Sequence, residues 1–440
     1  MENLKLFYFT FGCKVNQYET ENIKQLFESH GCKTVKNFKD ADICIINSCT
    51  VTASADTKLR QLCHKIKKTD DKKILAVCGC FTQAYSDKAQ QMLLADVIVG
   101  ANNKMRIFDL VSEYLCDKKP RCEIIEHKKG DKIEKMMLTR KVESKTRATI
   151  KIQDGCNRYC AYCIIPYARG VIRSKSIEDI KEEVAFLAKC GHKEIVLAGI
   201  NLSLYGTDFE DKKDLADAVL AVAENEDIKR VRLSSLEPEL ITDEMIDKLA
   251  SCKKLCSHFH LALQSGCDQT LKRMNRHYTT AEYMQIINKL RERFENCAFT
   301  TDIMVGFAGE TEEEFEKTCE FVKKVGFSKC HIFPYSQREG TKACGFENQV
   351  AEAEKEKRAK ILATICEESR QEFLNNQCGK VVSVLFEREN CTDFHRGYAQ
   401  NYTLIKIKRK NDKKSLRHEI LCVKIKEVNQ DFCLGEIIEY

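Results

Sequence analysis

The sequence predicts an α/β protein in three parts: an N-terminal βα domain around a parallel sheet, a central partial (β/α)6 barrel, and a small C-terminal β-barrel. Three observations carry this. Short apolar runs alternate with helix-like stretches through residues 1–117, and do so again, more regularly, through 148–375. Residues 118–147 separate them as a linker, because "KKPRCEIIEHKKGDKIEKMMLTRK" is rich in charge and poor in apolar periodicity. From 376 to 440 the pattern changes to period-two runs divided by polar turns.

A chain of 440 residues, 43% hydrophobic and 31% charged, has the composition of a globular protein with several cores. It has no uncharged run of about 18 residues and no basic leader with a cleavage site, so the expectation is a cytoplasmic protein without a membrane segment. In that reducing compartment its 25 cysteines do not read as a disulfide framework, and the odd count fits complete pairing poorly. Some should bind metal.

In the first part, "LKLFYFTFGC", "ADICIINSC" and "KILAVCGC" are strand-like and each precedes a helix-like stretch. Parallel strands all point one way, so the residues that close them meet along one sheet edge. Cys13, Cys49 and Cys80, 36 and 31 residues apart, are thereby expected to converge. Cys78 competes with Cys80 for the third place, since alternation along a strand lets only one face the site.

The central part offers six strands, "TIKIQ", "EIVLAG", "VRLSSL", "FHLALQ", "TTDIMVGF" and "CHIFPYS". Six units are too few for the usual eight-stranded barrel, so an open one is expected, with its chemistry above the carboxyl ends of the strands. "CNRYCAYC" follows the first strand at that end. Its Cys156, Cys160 and Cys163 suit three irons of a cubane cluster and leave one iron open. Zinc is the alternative, but no histidine or fourth cysteine stands nearby in the sequence.

"CNRYCAYC" resembles the signature of the radical S-adenosylmethionine (SAM) superfamily. "TFGCKVNQYETE", "INSCTVT", "CGCFTQ", "YCIIPYARGVIRS", "LSSLEP", "LQSGCDQTLKRMNR", "MVGFAGETEEEF" and "FPYSQREGTKA" extend the likeness, as one to the methylthiotransferase family, along the whole chain. The resemblance implies a radical SAM core at 148–375 and two 4Fe-4S clusters. Cys156, Cys160 and Cys163 would hold the SAM cluster, and Cys13, Cys49 and Cys80 an auxiliary one, with Cys78 a bystander. It also implies SAM contacts at Tyr162, Gly199, Ser234, Gln264, Asp302 and Gly306, and marks Arg169, Gly170 and Arg173 as a family stretch. Ala308 departs from the proline usual in that loop, which puts the loop's rigidity in doubt.

The third part resembles the TRAM domain, an RNA-binding module. Residues 396–426 hold ten Lys or Arg against two Asp or Glu, and "IKIKRK" sets Lys406, Lys408 and Lys410 on one strand face, where they suit an RNA backbone. The function implied is methylthiolation at C2 of N6-threonylcarbamoyladenosine in tRNA, at position 37 beside the anticodon. An external electron donor and a sulfur source are then needed. Isopentenyladenosine in tRNA, an aspartate of a ribosomal protein, and a non-catalytic Fe-S protein that only binds RNA are the competing readings. The opening "GCKVNQYETE" resembles the threonylcarbamoyladenosine subfamily more than the others.

Overall fold

The structure, a computed structural model, describes residues 2–142, 145–388, 393–409 and 415–438. The N-terminal part runs β1 (Lys5–Thr10), α1 (Lys14–Ser29), β2 (Lys33–Thr34), β3 (Ile43–Ser48), α2 (Ala53–Thr69), β4 (Ile74–Gly79), α3 (Cys80–Ala84), α4 (Ser86–Met92), β5 (Val97–Val99), α5 (Ile107–Asp117) and β6 (Arg121–Glu123). Its six strands form one parallel sheet in the order β2-β1-β3-β4-β5-β6. β3 and β4 are apolar along most of their length and buried at every residue, as befits central parallel strands covered on both faces. Ile43, Ile45, Ala76 and Cys78 pack on one face, and Cys44, Ile46, Leu75 and Val77 on the other. The sequence reading found β1, β3 and β4. It missed β2, β5 and β6, which are too short to show a period. β6 lies in the stretch read as a linker, yet it pairs with β5 and extends the sheet.

The central part runs β7 (Ala148–Lys151), β8 (Gln153–Asp154), α6 (Ile165–Arg169), β9 (Arg173–Ser174), α7 (Ile177–Lys189), β10 (Glu194–Ala198), α8 (Leu215–Ala223), β11 (Arg230–Leu233), β12 (Ser235–Leu236), α9 (Asp243–Ser251), β13 (His258–Leu261), α10 (Asp268–Arg273), α11 (Thr280–Arg293), β14 (Ala298–Val305), α12 (Glu312–Val325) and β15 (Lys329–Pro334). The wall is a half-barrel of parallel strands, β11-β10-β7 on one side and β12-β13-β14-β15 on the other. Ser234 is the break between β11 and β12, so the single run "VRLSSL" serves both sides. The six runs expected are the six positions of the wall. Capping boxes at Asp214, Thr279 and Thr311 start α8, α11 and α12 and fix where each crossover begins.

A long helix, α13 (Glu352–Asn375), leads to a closed barrel of β16 (Val381–Phe386), β17 (Phe394–Ala399), β18 (Leu404–Lys408), β19 (Ile420–Val428) and β20 (Cys433–Ile437), ordered β16-β17-β18-β20-β19. This barrel docks beneath the amino ends of the half-barrel strands. Arg230 donates to the Tyr398 carbonyl at 3.0 Å and to Ser383 Oγ at 2.9 Å, and Arg232 donates to the Gln400 carbonyl at 2.9 Å. The half-barrel is therefore closed below and open above.

Candidate active site and its two cysteine sets

Above the strands, Cys156, Cys160 and Cys163 line one cavity of about 210 Å³ together with Tyr162, Gln264 and Asp302. The loop that carries them is pinned by backbone hydrogen bonds from Cys156 to Gly170, from Ala161 to Met274 and from Cys163 to Cys160, at 2.9–3.0 Å. Gly155 sets its entry: φ is +74°, and a Cβ there would sit 1.8 Å from the Val171 carbonyl oxygen. Burial pushes the Cys156 and Cys163 thiols above their ordinary range, and the neighbouring cysteines add to it. A buried arginine answers them. Arg276 donates to Cys160 Sγ at 3.2 Å and pairs with Glu237.

Of the other residues expected at this site, Gly199, Ser234 and Gly306 do not line the cavity. Gly199 is packed against Gln153 and Leu202, and Gly306 lies against the stem of Lys355, with its amide donated to Glu310 at 2.6 Å. Ser234 is buried at the β11–β12 break. Asn201, Ser235, Glu237, Ala262 and Arg276 line it instead. Glu237 and Arg276 stand in "LSSLEP" and "KRMNR", motifs in which sequence reasoning singled out other residues. The loop containing Ala308 is held without proline. Arg273 donates to the Ala308 carbonyl at 3.3 Å, and Glu310 pairs with Arg358 at 2.8 Å.

The second set lies on the edge of the N-terminal sheet. Cys13 caps α1, Cys49 follows β3 and Cys80 begins α3, after three neighbouring strands. Gly12 makes the approach of the first two possible: at φ +93°, a Cβ on it would lie 2.8 Å from Cys49 Sγ. Burial, then Cys80, pushes the Cys49 thiol up to about 12. Cys13 keeps solvent access, but the recess around it raises its thiol as well. Cys78 points away into the sheet core. The structure thus brings Cys80 to Cys13 and Cys49.

Between the two sets lies a buried charge network that the sequence did not reveal. Arg169, fully buried, donates to Cys80 Sγ at 3.2 Å and to Glu19 Oε1 at 2.5 Å, and stands 3.3 Å from Asp154. Glu19 also pairs with Lys104, and with Lys151 at 2.7 Å; Asp154 also pairs with Lys151 at 2.5 Å and Arg173 at 3.4 Å. Burial works against both carboxylates, but these cations outweigh it and hold both well below the usual range. Four cations face two carboxylates, so the network keeps a positive excess beside the thiols of Cys80 and its neighbours.

Among the described residues no three His, Cys, Asp or Glu stand close enough to hold one metal ion. A cubane gives each of three thiolates its own iron, which is the arrangement that three cysteines without a fourth protein ligand suit. Two buried amide oxygens on the cavity wall, Asn201 Oδ1 and Gln264 Oε1, have no hydrogen-bond partner among the described residues. Gln264 is held at φ +64°, a region that side-chain-bearing residues rarely adopt. Unspent acceptors and constrained backbone suit a cavity built for a polar ligand such as SAM.

Comparison with known proteins now decides the family. Residues 150–322 match the model of the radical SAM superfamily, and residues 5–100 match "Uncharacterized protein family UPF0004". The chain is 35% identical to the threonylcarbamoyladenosine tRNA methylthiotransferase MtaB of Bacillus subtilis (strain 168), over 98% of this chain and 95% of that protein. It belongs to the tRNA methylthiotransferase family of radical SAM enzymes. It is also 37% identical to the tRNA-2-methylthio-N(6)-dimethylallyladenosine synthase of Clostridium tetani, over 87% of this chain and 85% of that one. A solved radical SAM methyltransferase, TsrM from Kitasatospora setae, shares the fold at TM-score 0.56 and 12% identity, over 76% of this chain and 72% of that one. As a radical SAM methylthiotransferase the chain is a transferase that uses a 4Fe-4S cluster and SAM. No helix among the described residues is long and apolar enough to cross a membrane.

Proposed function

We propose that this chain adds a methylthio group at C2 of N6-threonylcarbamoyladenosine at position 37 of tRNA, using two 4Fe-4S clusters. The observation that carries the two-cluster reading is the pair of cysteine sets, each facing a buried arginine: Cys156, Cys160 and Cys163 with Arg276, and Cys13, Cys49 and Cys80 with Arg169. A scaffold that only bound RNA would need neither the unspent amides of Asn201 and Gln264 nor a second thiol set. The choice of threonylcarbamoyladenosine over isopentenyladenosine is supported by the opening "GCKVNQYETE" and by the near full-length likeness to MtaB.

When bound, a cluster and SAM supply a reductively generated carbon radical able to open an unactivated C–H bond. The chain's own residues prepare that site. Cys156, Cys160 and Cys163 hold one cluster, Asn201 and Gln264 offer acceptors to SAM, and Tyr162 packs edge-on against Phe307 with its centroid 6.3 Å away. Cys13, Cys49 and Cys80 hold the cluster that serves sulfur transfer, and the positive network around Arg169 balances the thiolates. Raised thiols must lose protons on loading, so cluster assembly releases acid. The turnover draws on an external one-electron donor and a sulfur source in the cytoplasm. The C-terminal barrel holds tRNA. Lys406 lies over the Phe432 ring at 3.7 Å and Lys408 is exposed; both face outward from β18, while Lys410 lies outside the described residues.

Two variants test the division of labour. Cys13→Ala should keep one cluster and cleave SAM to 5′-deoxyadenosine while losing methylthiolation, and Cys160→Ala should lose SAM cleavage. Methylthiolation by Cys13→Ala would refute the two-cluster reading.

A further inference from the structure

A second cavity, of about 370 Å³, opens where the three parts of the chain meet. Its back wall is the concave face of the half-barrel, where Thr149 of β7, Val196 of β10 and Arg232 of β11 stand in one row across three paired strands. Two residues further on, Lys151 and Ala198 end β7 and β10 on the side where the cysteine cavity opens, about 6.6 Å away along the strands. Lys14, which follows Cys13, is on the rim. The cavity therefore reaches the neighbour of Cys13 and lies below the ends of the strands that lead to the other cysteine set.

Its chemistry is one-sided. Lys145, Arg147, Arg232, Arg388 and Arg396 line it, with Glu387 as the lining carboxylate. Glu387 takes Arg147 at 2.8 Å and lies 3.8 Å from Arg396, and Glu194, two residues before Val196 and on the same face of β10, takes Arg232 at 2.7 Å. Arg232 is otherwise spent on the carbonyls of Ala399 and Gln400, so it supports the wall. Arg396 Nε has no partner among the described residues. Tyr402 is the floor: the guanidinium groups of Arg147 and Arg232 lie 5.0 and 4.6 Å from its ring centroid, and Tyr398 stacks on it at 4.9 Å. Its φ of +67° is rare for so bulky a residue, and Asn401 secures that turn by accepting from the Thr403 amide at 3.2 Å.

A wall of guanidinium groups suits a planar anion, which they bind through paired N–H donors. It is a poor place for a hydrocarbon arm, which would strip water from those charges and give nothing in return. Resting on the threonylcarbamoyladenosine reading, we propose that this cavity receives the carboxylate that ends the N6 arm of the substrate base, with Arg147 as the direct contact and Arg396 and Lys145 beside it. The same cavity would then separate this substrate from the isopentenyl one by charge.

Anaerobic binding and turnover of the reconstituted enzyme with four anticodon stem-loops tests this. They carry threonylcarbamoyladenosine, its threoninamide analogue, isopentenyladenosine or plain adenosine. The expected result is that the wild type binds the carboxylate form about tenfold or more tightly than the amide, and that Arg147→Gln and Arg396→Gln each erase most of that ratio. Because the ratio is also read on unaltered protein, a variant that folds badly does not decide the question. Equal binding and equal methylthiolation of acid and amide would overturn the carboxylate site and leave the proposed function standing. Methylthiolation of the isopentenyl form alone would overturn that function, and the site with it. If Arg147→Gln weakens the plain adenosine stem-loop as much as the others, with a shallower salt dependence, the cavity holds a backbone phosphate and the carboxylate assignment fails.

Discussion

Replacing Arg169 by methionine is the perturbation that the structure makes most exact. The guanidinium is completely buried and touches Cys80, Asn16, Glu19 and Asp154, so it ties the N-terminal sheet to the half-barrel. Removing one partner from a buried ion pair costs about 3–5 kcal/mol, because a desolvated charge is left alone. Here neither carboxylate is abandoned: Glu19 keeps Lys104 and Lys151, and Asp154 keeps Lys151 and Arg173. The cost should therefore fall at the lower end, about 3 kcal/mol, or roughly 6 °C in melting temperature at about 2 °C per kcal/mol for a large chain. The thiols near Cys80 should also hold iron less well, since the positive excess beside them shrinks. Anaerobic thermal melting with an iron assay reads both. Arg169→Lys, which keeps the charge but not the fork, should fall between. A methionine variant that melts within about 1 °C of wild type with full iron would refute the argument that this network supports the site.

Two further predictions concern named side chains. Cys78→Ala should leave iron content unchanged and cost on the order of 1 kcal/mol for a small gap in the sheet core, whereas Cys80→Ala should lower iron by one cluster; the reverse pattern in the iron assay would put the wrong cysteine at the sheet edge. Replacing Lys406 and Lys408 by alanine should weaken tRNA binding and reduce the slope of log affinity against log salt by roughly one unit per lost phosphate contact, with SAM cleavage in the absence of tRNA unchanged; an unaltered slope in titrations at several salt concentrations would mean that this strand face is only solvated.

The features legible in the sequence were those with a local signature. The convergence of Cys13 and Cys49 followed from parallel strands that point one way, and the half-barrel from six apolar runs separated by helical patterns. Buried polar contacts between parts left no such trace. Glu19 sits in "KVNQYETENIKQLFES", whose helix-like pattern does not mark any polar residue as buried, yet Asn16, Glu19, Thr20 and Asn22 are buried there because α1 docks its polar face on the central part. Lys104 and Lys151 likewise look like surface lysines until Glu19 is placed between them. Asn201, Glu237 and Arg276 reach the cysteine cavity from separate crossovers, and only the curvature of the wall brings them together. In the C-terminal barrel, β17 and β20 each contain a glycine that interrupts the apolar pattern, Gly397 and Gly435, and both are needed because a Cβ would meet Val384 Cγ1 at 2.6 Å in one and Val423 Cγ1 at 2.4 Å in the other.

The most direct test of the account is mass spectrometry of nucleosides from a tRNA that carries N6-threonylcarbamoyladenosine at position 37, incubated anaerobically with the reconstituted enzyme, SAM, a one-electron reductant and a sulfide source. The account predicts a new nucleoside heavier by one methylthio group in place of one hydrogen, formed together with 5′-deoxyadenosine, and absent with tRNA that carries isopentenyladenosine. An unchanged threonylcarbamoyl nucleoside beside a methylthiolated isopentenyl one would contradict it.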